Sequence, residues 1–445
     1  MKFIHTADWH LGNTMHDIDR TRETGAFLEW LKSEIETVGA QALVIAGDIF
    51  DVVNPSNMAK TQYYNFLSSL LKTKCTNVIV VGGNHDSGTL LDAPAGILDA
   101  LNIKVIGSIN NREVDDLVFE LNDAQGNAIG ICCAVPFMRD LELEQFYKYS
   151  EKPVEGANVA DGDLLKRLYT DVYRRAVELR SDRNIPIIAT GHLYASNLSG
   201  RDTEIGGVRE GFDGATENEF AGEKATMPET TVDDGVREVI GTLGNVDVST
   251  FPSEADYVAL GHIHYTSMVA RNPKVRYSGS PFVMGFDEAN CKRYVLAVDA
   301  AQGAIPAVEK IEVPKAIRFE QFKGDIETLK LKLHNLEKEL IANPMETYVD
   351  LLLTSGDFVS LNDALEKEET GKHFVVKRHR ISRDVLRGAT GFDECVESTK
   401  QYTKEDYFRM LIASNLQEND ESDAVKNQYD KFISLFNEAV SKAHE

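Results

Sequence analysis

The sequence lacks a long apolar run, has little cysteine and has no excess of positive charge. No apolar run approaches the roughly 20 residues that a membrane-spanning helix needs, and the opening residues MKFIHTADWH contain no apolar stretch of signal-peptide length. The five cysteines form no CxxC pair; they are Cys75, Cys132, Cys133, Cys291 and Cys395. This pattern favours reduced thiols over a disulfide framework. We therefore expect a cytoplasmic protein that does not contact a membrane.

Acidic residues outnumber basic residues by 71 to 47, so the formal net charge is −24. Such a chain is poorly suited to hold nucleic acid through its own surface, because phosphate binding depends on lysine and arginine. A nucleic-acid enzyme with this charge needs metal ions, a local basic strip or a basic partner. The sequence also lacks the GxxxxGK[ST] loop with which many ATPases bind phosphate. Any dependence on ATP would therefore belong to a partner.

The chain of 445 residues is long enough for two or three domains. In the first 110 residues, apolar strands such as ALVIAGD and NVIVVGG alternate with helical patterns over 20–38, 57–71 and 93–101. This alternation predicts βαβ units and a largely parallel sheet. Strand patterns dominate from there to residue 313 and predict a second sheet stacked on the first. The expected fold class is α/β, an α+β sandwich of two sheets flanked by helices.

Three further segments differ from this core. Residues 202–234 contain ten acidic and two basic residues, which we interpret as an acidic surface insertion. The predicted domains are 1–312, a small α+β domain over 313–395, and a helical segment over 400–445. The last predicted helix has an apolar stripe that fits either internal packing or a partner surface. Its candidate partner-binding residues are Tyr429, Phe432, Ile433 and Phe436.

Five predicted strands end in residues of the kind that bind metal ions. The strand ends read Asp8-Trp9-His10, Gly47-Asp48-Ile49-Phe50-Asp51, Gly83-Asn84-His85-Asp86, Gly191-His192 and Gly261-His262-Ile263-His264. In open α/β sheets, the carboxyl ends of the strands form the binding crevice. His262 and His264 are two positions apart, so in an extended chain their side chains point to the same face.

The side chains at these strand ends offer oxygens and imidazole nitrogens but no thiolate. Such a set suits manganese, iron or zinc rather than a cysteine-type structural zinc site. The candidate metal ligands are Asp8, His10, Asp48, Asn84, His192, His262 and His264. They are too many for one ion, but a bridging Asp48 would give each of two ions four ligands. Two ions roughly 3.5–4 Å apart form a clamp for displacement at phosphorus.

Each motif taken alone has an ordinary structural explanation. Asp8 and His10 could form a satisfied pair at a strand end, the aspartates after Gly47 could cap a helix, and residues 83–86 could form a turn. A single histidine such as His192 lies in a core or on a surface more often than it binds a metal. The occurrence of all five motifs in this order, each after an apolar strand, favours the two-metal site.

The five motifs together resemble those of the calcineurin-like metallophosphoesterases. The segments HTADWHLG, GDIFD, GGNHDS, PIIATGHL, DYVALGHIH and VRYSGSP resemble the nuclease branch of that family in particular. These motifs span residues 1–290, whereas the later segments match that branch in layout only. The resemblance implies a two-sheet core with flanking helices, a capping domain over 313–395, and a segment over 400–445 that binds a partner ATPase.

The resemblance also implies roles for individual residues. One ion would be held by Asp8, His10, Asp48 and His264, and the other by Asp48, Asn84, His192 and His262. His85 would face the scissile phosphate and stabilise or protonate the leaving group, and Asp86, which follows it, could orient the ring of His85. Asp51 would lie beside the site as a possible substrate-orienting residue.

The nuclease branch implies two divalent ions, expected to be Mn²⁺, and a homodimer within a heterotetramer that also contains the ATPase. It further implies 3′→5′ exonuclease and endonuclease activity on double-stranded DNA, including hairpins and blocked ends, in repair and recombination. The strand HFVVKRHRI contains Lys377, Arg378 and Arg380. These three residues could contact a DNA backbone, or they could form a solvated strand face.

Two other functions compete with the nuclease. A calcineurin-like phosphatase or cyclic-nucleotide phosphodiesterase would use the same centre, but phosphoprotein phosphatases typically have GDxxDRG and GNHE where this chain has GDIFDVV and GNHDS. A scaffold subunit of an ATPase complex would be the non-enzyme alternative. Its metal site would have decayed, whereas this sequence keeps every ligand position.

Overall fold

A computed structural model describes residues 1–149, 161–195, 198–199, 246–355 and 373–381. The acidic insertion 202–234 and the predicted helical segment 400–445 lie outside these ranges. The described residues belong to one compact unit of the chain. The predicted division of the chain after residues 312 and 395 stays a prediction. Within the described ranges, no helix is both long and apolar enough to cross a membrane.

The described part of the chain is a mixed α/β structure, which confirms the predicted fold class. The strands are β1 Lys2–Thr6, β2 Thr14–Met15, β3 Ile18–Asp19, β4 Ala42–Ala46, β5 Asn77–Val81, β6 Ile103–Ile106, β7 Val118–Asn122, β8 Ala128–Cys133, β9 Ile187–His192, β10 Leu198–Ser199, β11 Tyr257–Gly261, β12 Ser267–Val269, β13 Val275–Tyr277, β14 Tyr294–Asp299, β15 Ala307–Glu312, β16 Arg318–Gly324, β17 Thr347–Leu353 and β18 Val375–Ile381. The helices are α1 Thr21–Val38, α2 Asn57–Leu70, α3 Gly88–Asp92, α4 Ala95–Asp99, α5 Asp140–Tyr149, α6 Asp161–Arg180 and α7 Ile326–Ala342.

Two large sheets build the core. The first has the strand order β15-β14-β1-β4-β5-β6, and the second has the order β10-β12-β13-β11-β9-β8-β7. Strands β1, β4, β5 and β6 run parallel to one another, as do β8, β9, β11 and β13. The carboxyl ends of the central strands of each sheet therefore lie along one edge, where the candidate ligands follow.

The central strands read as continuous apolar runs because both of their faces are buried. Alternate residues of one strand enter different cores, since side chains alternate across a sheet. On β1, Phe3 packs into the core shared by the two sheets, whereas Ile4 packs against the helices on the outer face. That outer core includes Phe27 and Leu31 of α1 and Phe66 of α2. The helical spacing of these residues is the pattern that predicted both helices.

The predicted helix over 93–101 is shorter in the structure, where α4 spans only Ala95–Asp99, and the short helix α3, which was not predicted, precedes it. Pro94 lies between them at the N-cap of α4. Proline has no backbone N–H and restricts the residue before it, so it favours a helix start over a helix interior. Helix α5 and the β2–β3 hairpin, whose strands have only two residues each, were not predicted from the sequence.

A smaller three-stranded sheet, in the order β16-β17-β18, carries α7 on one face. Leu329, Leu333, Leu336 and Leu340 of α7 pack against residues of β17, including Leu351. This sheet meets the core through an apolar cluster that contains Phe286, Ile317 and Phe319, with side chains from the β2–β3 hairpin. The small sheet and the β2–β3 hairpin therefore pack into the same apolar cluster.

His5 on β1 is completely buried between the sheets. Its Nδ1 lies 3.0 Å from the hydroxyl of Tyr257, and its Nε2 lies 3.2 Å from the carbonyl oxygen of Leu260. A neutral ring satisfies both contacts, with Nε2–H donating to the carbonyl and Nδ1 accepting from the hydroxyl. Burial lowers the pKa of His5 to about 3, so the folded protein keeps this ring neutral.

This histidine predicts a loss of stability on acidification. The folded-state pKa of about 3 lies below the value of about 6.5 for an unfolded chain. The unfolded state therefore binds a proton that the folded state does not, and stability falls as the pH drops below the unfolded pKa. From pH 7 to pH 5, the free energy of unfolding should fall by about 2 kcal/mol more in the wild type than in His5→Gln.

Urea unfolding with a metal chelator present at both pH values measures this difference. The comparison of pH slopes is insensitive to the absolute stability of His5→Gln, because all other titrating groups are common to both chains. Parallel pH slopes for the two proteins would show that the folded protein protonates His5 as readily as the unfolded chain does.

Candidate metal centre

Five strand ends bring the predicted ligands to one edge of the two sheets. Strands β1, β4 and β5 of the first sheet are neighbours, and β9 and β11 of the second sheet are neighbours. Loops after β1, β4, β5 and β11 carry the candidate residues, whereas His192 is the last residue of β9. Sets of ligand atoms that lie within 4.8 Å of one another occur in Asp8, His10 and His264 and in Asp8, Asp48 and His192.

The backbone at the ends of β1, β4 and β11 adopts an unusual conformation. The angle φ is positive at Asp8 (55°), His10 (44°), Asp48 (50°) and His262 (97°). Residues other than glycine rarely adopt this left-handed backbone conformation, and they keep it only when the surrounding structure holds them in it. Two backbone hydrogen bonds of 3.0 Å hold the first loop against the second, from the N–H groups of Asp8 and His10 to the carbonyls of Gly47 and Asp48. Strained backbone concentrated in this way is typical of functional sites.

The two sheets approach each other closely at Gly261, the last residue of β11. A Cβ on Gly261 would lie 1.9 Å from the carbonyl oxygen of Ala46 and 2.9 Å from Nδ1 of His192. The carbonyl of Ala46 is also the group to which Nδ1 of His192 donates, at 2.9 Å. The glycine of this motif therefore allows a strand of one sheet to meet the end of a strand of the other.

One subset of ligands surrounds the side-chain oxygen of Asn84. The Nε2 atom of His192 lies 3.0 Å from Asn84 Oδ1, and Nδ1 of His262 lies 2.9 Å from the same atom. Asp48 Oδ2 is 3.3 Å from Nε2 of His192. Because Nδ1 of His192 is occupied by Ala46, its Nε2 is the nitrogen available to an ion. Asp48, Asn84, His192 and His262 thus form one convergent donor set.

A second subset also includes Asp48. The Nε2 atoms of His10 and His264 are 3.3 Å apart, and Nε2 of His10 is 3.7 Å from Asp48 Oδ2. Asp8 Oδ1 accepts from the N–H of His262 at 2.9 Å, whereas Asp8 Oδ2 is buried without a hydrogen-bond partner. A buried carboxylate oxygen left without a donor, beside two converging imidazole nitrogens, fits a divalent cation.

Burial and neighbouring charges raise the pKa values of Asp8 and His192 and lower that of His262. Burial, opposed by the neighbouring histidines, raises the pKa of Asp8 to about 7. Burial alone would lower the pKa of His192, but the Asp48 carboxylate raises it to about 9. Burial and the charge on His192 lower the pKa of His262 to about 4. Buried carboxylates and imidazoles crowded together in this way are electrostatically suited to bound cations, which supply positive charge in place of protons.

His85 follows Asn84 and lies beside the ligands. Its ring is 4.8 Å from the ring of His10 at nearly a right angle. Its Nδ1 donates to the carbonyl oxygen of Asp51 at 2.7 Å, and its backbone N–H donates to Asp48 Oδ1 at 2.9 Å. Both the ring and the backbone of His85 are therefore fixed, and Nε2 is the nitrogen left for a substrate.

The expected role of Asp86 is corrected by its contacts. Its carboxylate accepts hydrogen bonds from the backbone N–H groups of Ile49, Phe50 and Gly83, at 3.1, 2.9 and 2.9 Å. It therefore joins the loop after β4 to the loop after β5 and does not orient the ring of His85. The carbonyl of Asp51 does that instead. A contact made by a backbone carbonyl leaves no signal in the sequence, which is why it was missed.

The carboxylate of Asp51 contacts the side chains of Asn13 and His10. Its Oδ1 accepts from Nδ2 of Asn13 at 2.9 Å and lies 3.4 Å from Nδ1 of His10. Asp51 therefore contacts His10 through its side chain and His85 through its backbone. Its expected role as a substrate-orienting residue stays a prediction, but the contacts indicate that it positions the two imidazole rings.

The basic strip of β18 is partly neutralised within the small sheet. Arg378 Nε and Arg380 Nη2 lie 3.3 and 2.6 Å from the two carboxylate oxygens of Asp350, a fully buried residue of β17. Lys377 Nζ lies 5.7 Å from the ring centroid of Tyr348. One carboxylate offsets one of the two arginine charges, so the strip keeps a net positive charge. The candidate partner residues Tyr429, Phe432, Ile433 and Phe436 lie outside the described ranges.

Three residues at the site were not predicted from the sequence. Asn13 contacts Asp51, the ring of Phe137 lies 6.4 Å from that of His192, and Arg293 donates to the carbonyl oxygen of His264 at 2.6 Å. Phe137 follows β8, whose carboxyl end lies at the same edge as that of β9. The rule that ligands gather at strand ends could therefore have found Phe137, whereas the other two depend on tertiary contacts.

A two-sheet sandwich with a mixed oxygen and imidazole site at the strand ends defines a metal-dependent phosphoesterase. The family model described as calcineurin-like phosphoesterase matches residues 1–266, and the chain belongs to that family. This result confirms the resemblance found in the motifs.

Similarity to curated relatives extends beyond the phosphoesterase core. The chain is 29% identical to the SbcD subunit of the SbcCD nuclease of Escherichia coli (strain K12) over 438 residues, or 96% of each chain. It is 30% identical to the corresponding protein from Rhodobacter capsulatus over 322 residues, or 71% of this chain and 70% of the relative. The corresponding protein of Bacillus subtilis (strain 168) is 28% identical over 307 residues, or 68% of this chain and 67% of the relative. Similarity to the Escherichia coli subunit therefore includes segments after the two-sheet core.

Proposed function

We propose that this chain is the nuclease subunit of an SbcC-type ATPase complex, a two-metal-dependent DNA phosphodiesterase in repair and recombination. The observation that carries the proposal is the combination of seven candidate ligands at one edge of the sheets with similarity to an SbcCD nuclease subunit over 96% of the chain. The expected activities are 3′→5′ exonuclease and endonuclease cleavage of double-stranded DNA, including hairpins and blocked ends.

Two ions would be held by overlapping sets of residues. The first set is Asp8, His10, Asp48 and His264, and the second is Asp48, Asn84, His192 and His262. The support for this division is the unpartnered Oδ2 of Asp8 and the position of Asp48 Oδ2, which lies 3.7 Å from Nε2 of His10 and 3.3 Å from Nε2 of His192. The mixed oxygen and imidazole donors are compatible with manganese, which we propose as the metal. When bound, such ions neutralise phosphate oxygens and lower the pKa of a water molecule.

The residues of the chain perform the remaining tasks. The contacts of His85 with Asp51 and Asp48 hold its ring in one orientation, with Nε2 available to donate a proton to the leaving oxygen of the scissile bond. The contacts of Asp51 with His10 and His85 hold the two imidazole rings in fixed orientations. The imidazole of His192 is fixed by the carbonyl of Ala46, which leaves its Nε2 to bind an ion.

The acidic chain needs help to bind DNA. The net charge of −24 supports a complex in which the partner ATPase makes most phosphate contacts. Lys377, Arg378 and Arg380 would add a local contact in spite of their neighbour Asp350. A homodimer within the heterotetramer is part of the same proposal and rests on the similarity to the SbcCD nuclease subunit. The buried thiols of the chain are compatible with a cytoplasmic location, where cysteines stay reduced.

The substrate class can be tested with the full chain and added manganese. We expect cleavage of a labelled DNA duplex and of a DNA hairpin, both abolished by a chelator. We also expect bis-p-nitrophenyl phosphate, a diester, to be hydrolysed faster than p-nitrophenyl phosphate, a monoester. Asp48→Asn should remove every activity, because Asp48 lies between both ligand sets. Asp99→Asn, at an exposed position, is the matched control and should leave all rates unchanged.

The alternatives predict a different ranking of substrates. Rapid hydrolysis of the monoester or of a cyclic nucleotide, without DNA cleavage, would support the phosphatase or cyclic-nucleotide phosphodiesterase. A chain that binds no manganese and cleaves none of these substrates would support the scaffold.

A further inference from the structure

The imidazole ligands His10, His192 and His262 are each held by a hydrogen bond in which one of their N–H groups donates, whereas His264 is held in another way. The N–H of His10 bonds to Asp48, Nδ1 of His192 bonds to Ala46, and the N–H of His262 bonds to Asp8. His264 lies three residues beyond the end of β11, in the irregular segment before β12. In the described part of the chain, the only hydrogen-bond contact of its ring is with His10. The backbone around His264 must therefore hold its ring in place.

The backbone of His264 is held through its carbonyl oxygen. It accepts from the N–H of Ser280 at 3.2 Å and from Nη1 of Arg293 at 2.6 Å. The bond from Arg293 is charge-assisted, and such bonds are stronger than bonds between neutral groups. Arg293 is buried, with only 7% of its surface exposed, so water competes little for this contact.

Arg293 is itself held from two sides. Its Nη2 pairs with Oε2 of Glu288, and the same oxygen accepts from the N–H of Met284 at 2.9 Å. Its backbone carbonyl accepts from the N–H of Val313 at 2.8 Å. The guanidinium therefore joins the loop of Glu288 to the segment of His264 through two nitrogens of one rigid group. A lysine has a single nitrogen and lacks this planar fork.

We propose that Arg293, supported by Glu288, is a positioning residue that holds His264 in place for one of the two ions. The inference rests on the proposed two-metal centre and deepens it. Arg293 donates to His264, which belongs to the first ligand set, and within the described residues it makes no hydrogen bond or ion pair with Asn84, His192 or His262. Loss of Arg293 should therefore weaken one ion site and leave the other intact.

Manganese binding to the full chain tests this inference without measuring catalysis. Titration calorimetry gives the number and affinity of sites, and electron paramagnetic resonance distinguishes a coupled pair of Mn²⁺ ions from a single ion. The wild type should bind two ions as a coupled pair. In Arg293→Met, the affinity of one site should fall by about 10- to 100-fold, as for other residues that orient a metal ligand. The second site should keep its affinity, and the spectrum should become that of an isolated ion.

Three further variants make the result specific. His264→Ala should reproduce the binding pattern of Arg293→Met. Arg293→Lys should weaken the same site by a smaller factor, because one of the two hydrogen bonds can form. Lys292→Met changes the adjacent, more exposed side chain and should bind both ions as the wild type does.

Two results would overturn the proposal. One is wild-type binding at both sites in Arg293→Met; the other is equal weakening of both sites, which indicates a general structural role. If Arg293→Met does not fold, Arg293→Lys decides by the same criterion, with selective weakening in favour of the proposal and any other pattern against it. A wild type that binds no pair of ions would reject the two-metal centre itself, a failure that is visible before any variant is compared.

Discussion

Substitution of His85 by glutamine should lower the rate of DNA cleavage by about 10²- to 10⁴-fold while both manganese ions still bind. The size of this loss is typical of the removal of a general acid. Glutamine keeps a polar side chain of similar reach but cannot donate a proton as an imidazolium does. The ligand sets stay in place because the contact of His85 with Asp48 is made by its backbone N–H. Single-turnover cleavage of a labelled duplex measures the rate, and calorimetry measures the ions.

The matched control is His334→Gln, on the exposed face of α7, which should cleave DNA at the wild-type rate. Two results would contradict the proposed role of His85. Full cleavage by His85→Gln would remove the imidazole from the mechanism. Loss of an ion in His85→Gln would make His85 a ligand, as its distance from His10 and Asp51 would permit.

Substitution of Gly261 by alanine should destabilise the fold by about 3 kcal/mol or more and abolish manganese binding. The added Cβ would lie 1.9 Å from the carbonyl oxygen of Ala46, and neither strand can move without separating the two sheets. The same displacement would break the bond between Ala46 and Nδ1 of His192, which orients that ligand. Urea unfolding and manganese titration measure the two effects.

Gly96→Ala is the matched control for this substitution. A Cβ on Gly96 would have no atom within 4 Å, and the residue lies in α4. Alanine there should leave stability unchanged or raise it by up to about 1 kcal/mol, because glycine is unfavourable in helices. Equal stability of Gly261→Ala and the wild type would show that the sheets do not approach so closely.

Much of the core was predictable because its determinants are local. Strands such as β4 and β5 are buried on both faces, so their apolar runs are visible in the sequence. Parallel strands place their carboxyl ends at one edge, which is why the five motifs could be assembled without coordinates. Family membership followed from the same motifs.

The errors concern contacts whose partners are distant or belong to the backbone. Asp86 was expected to orient His85, but its carboxylate is occupied by three N–H groups. The burial of Asp350 within the apolar run of β17 could not be read from the strand pattern, so the pairing of Arg378 and Arg380 was missed. Arg293 gave no signal either, since a lone arginine at a strand start is usually a surface residue.

The distribution of the ligands along the chain has a consequence for biosynthesis. His10 and His264 are 254 residues apart in sequence, and β1 pairs with β14, whose residues follow His264. The first ligands therefore emerge from the ribosome long before the last one, and β1 cannot pair with β14 until most of the chain has been synthesised. No truncated nascent chain that ends before β11 can contain a complete centre, so hydrolytic activity begins only after most of the fold has been synthesised.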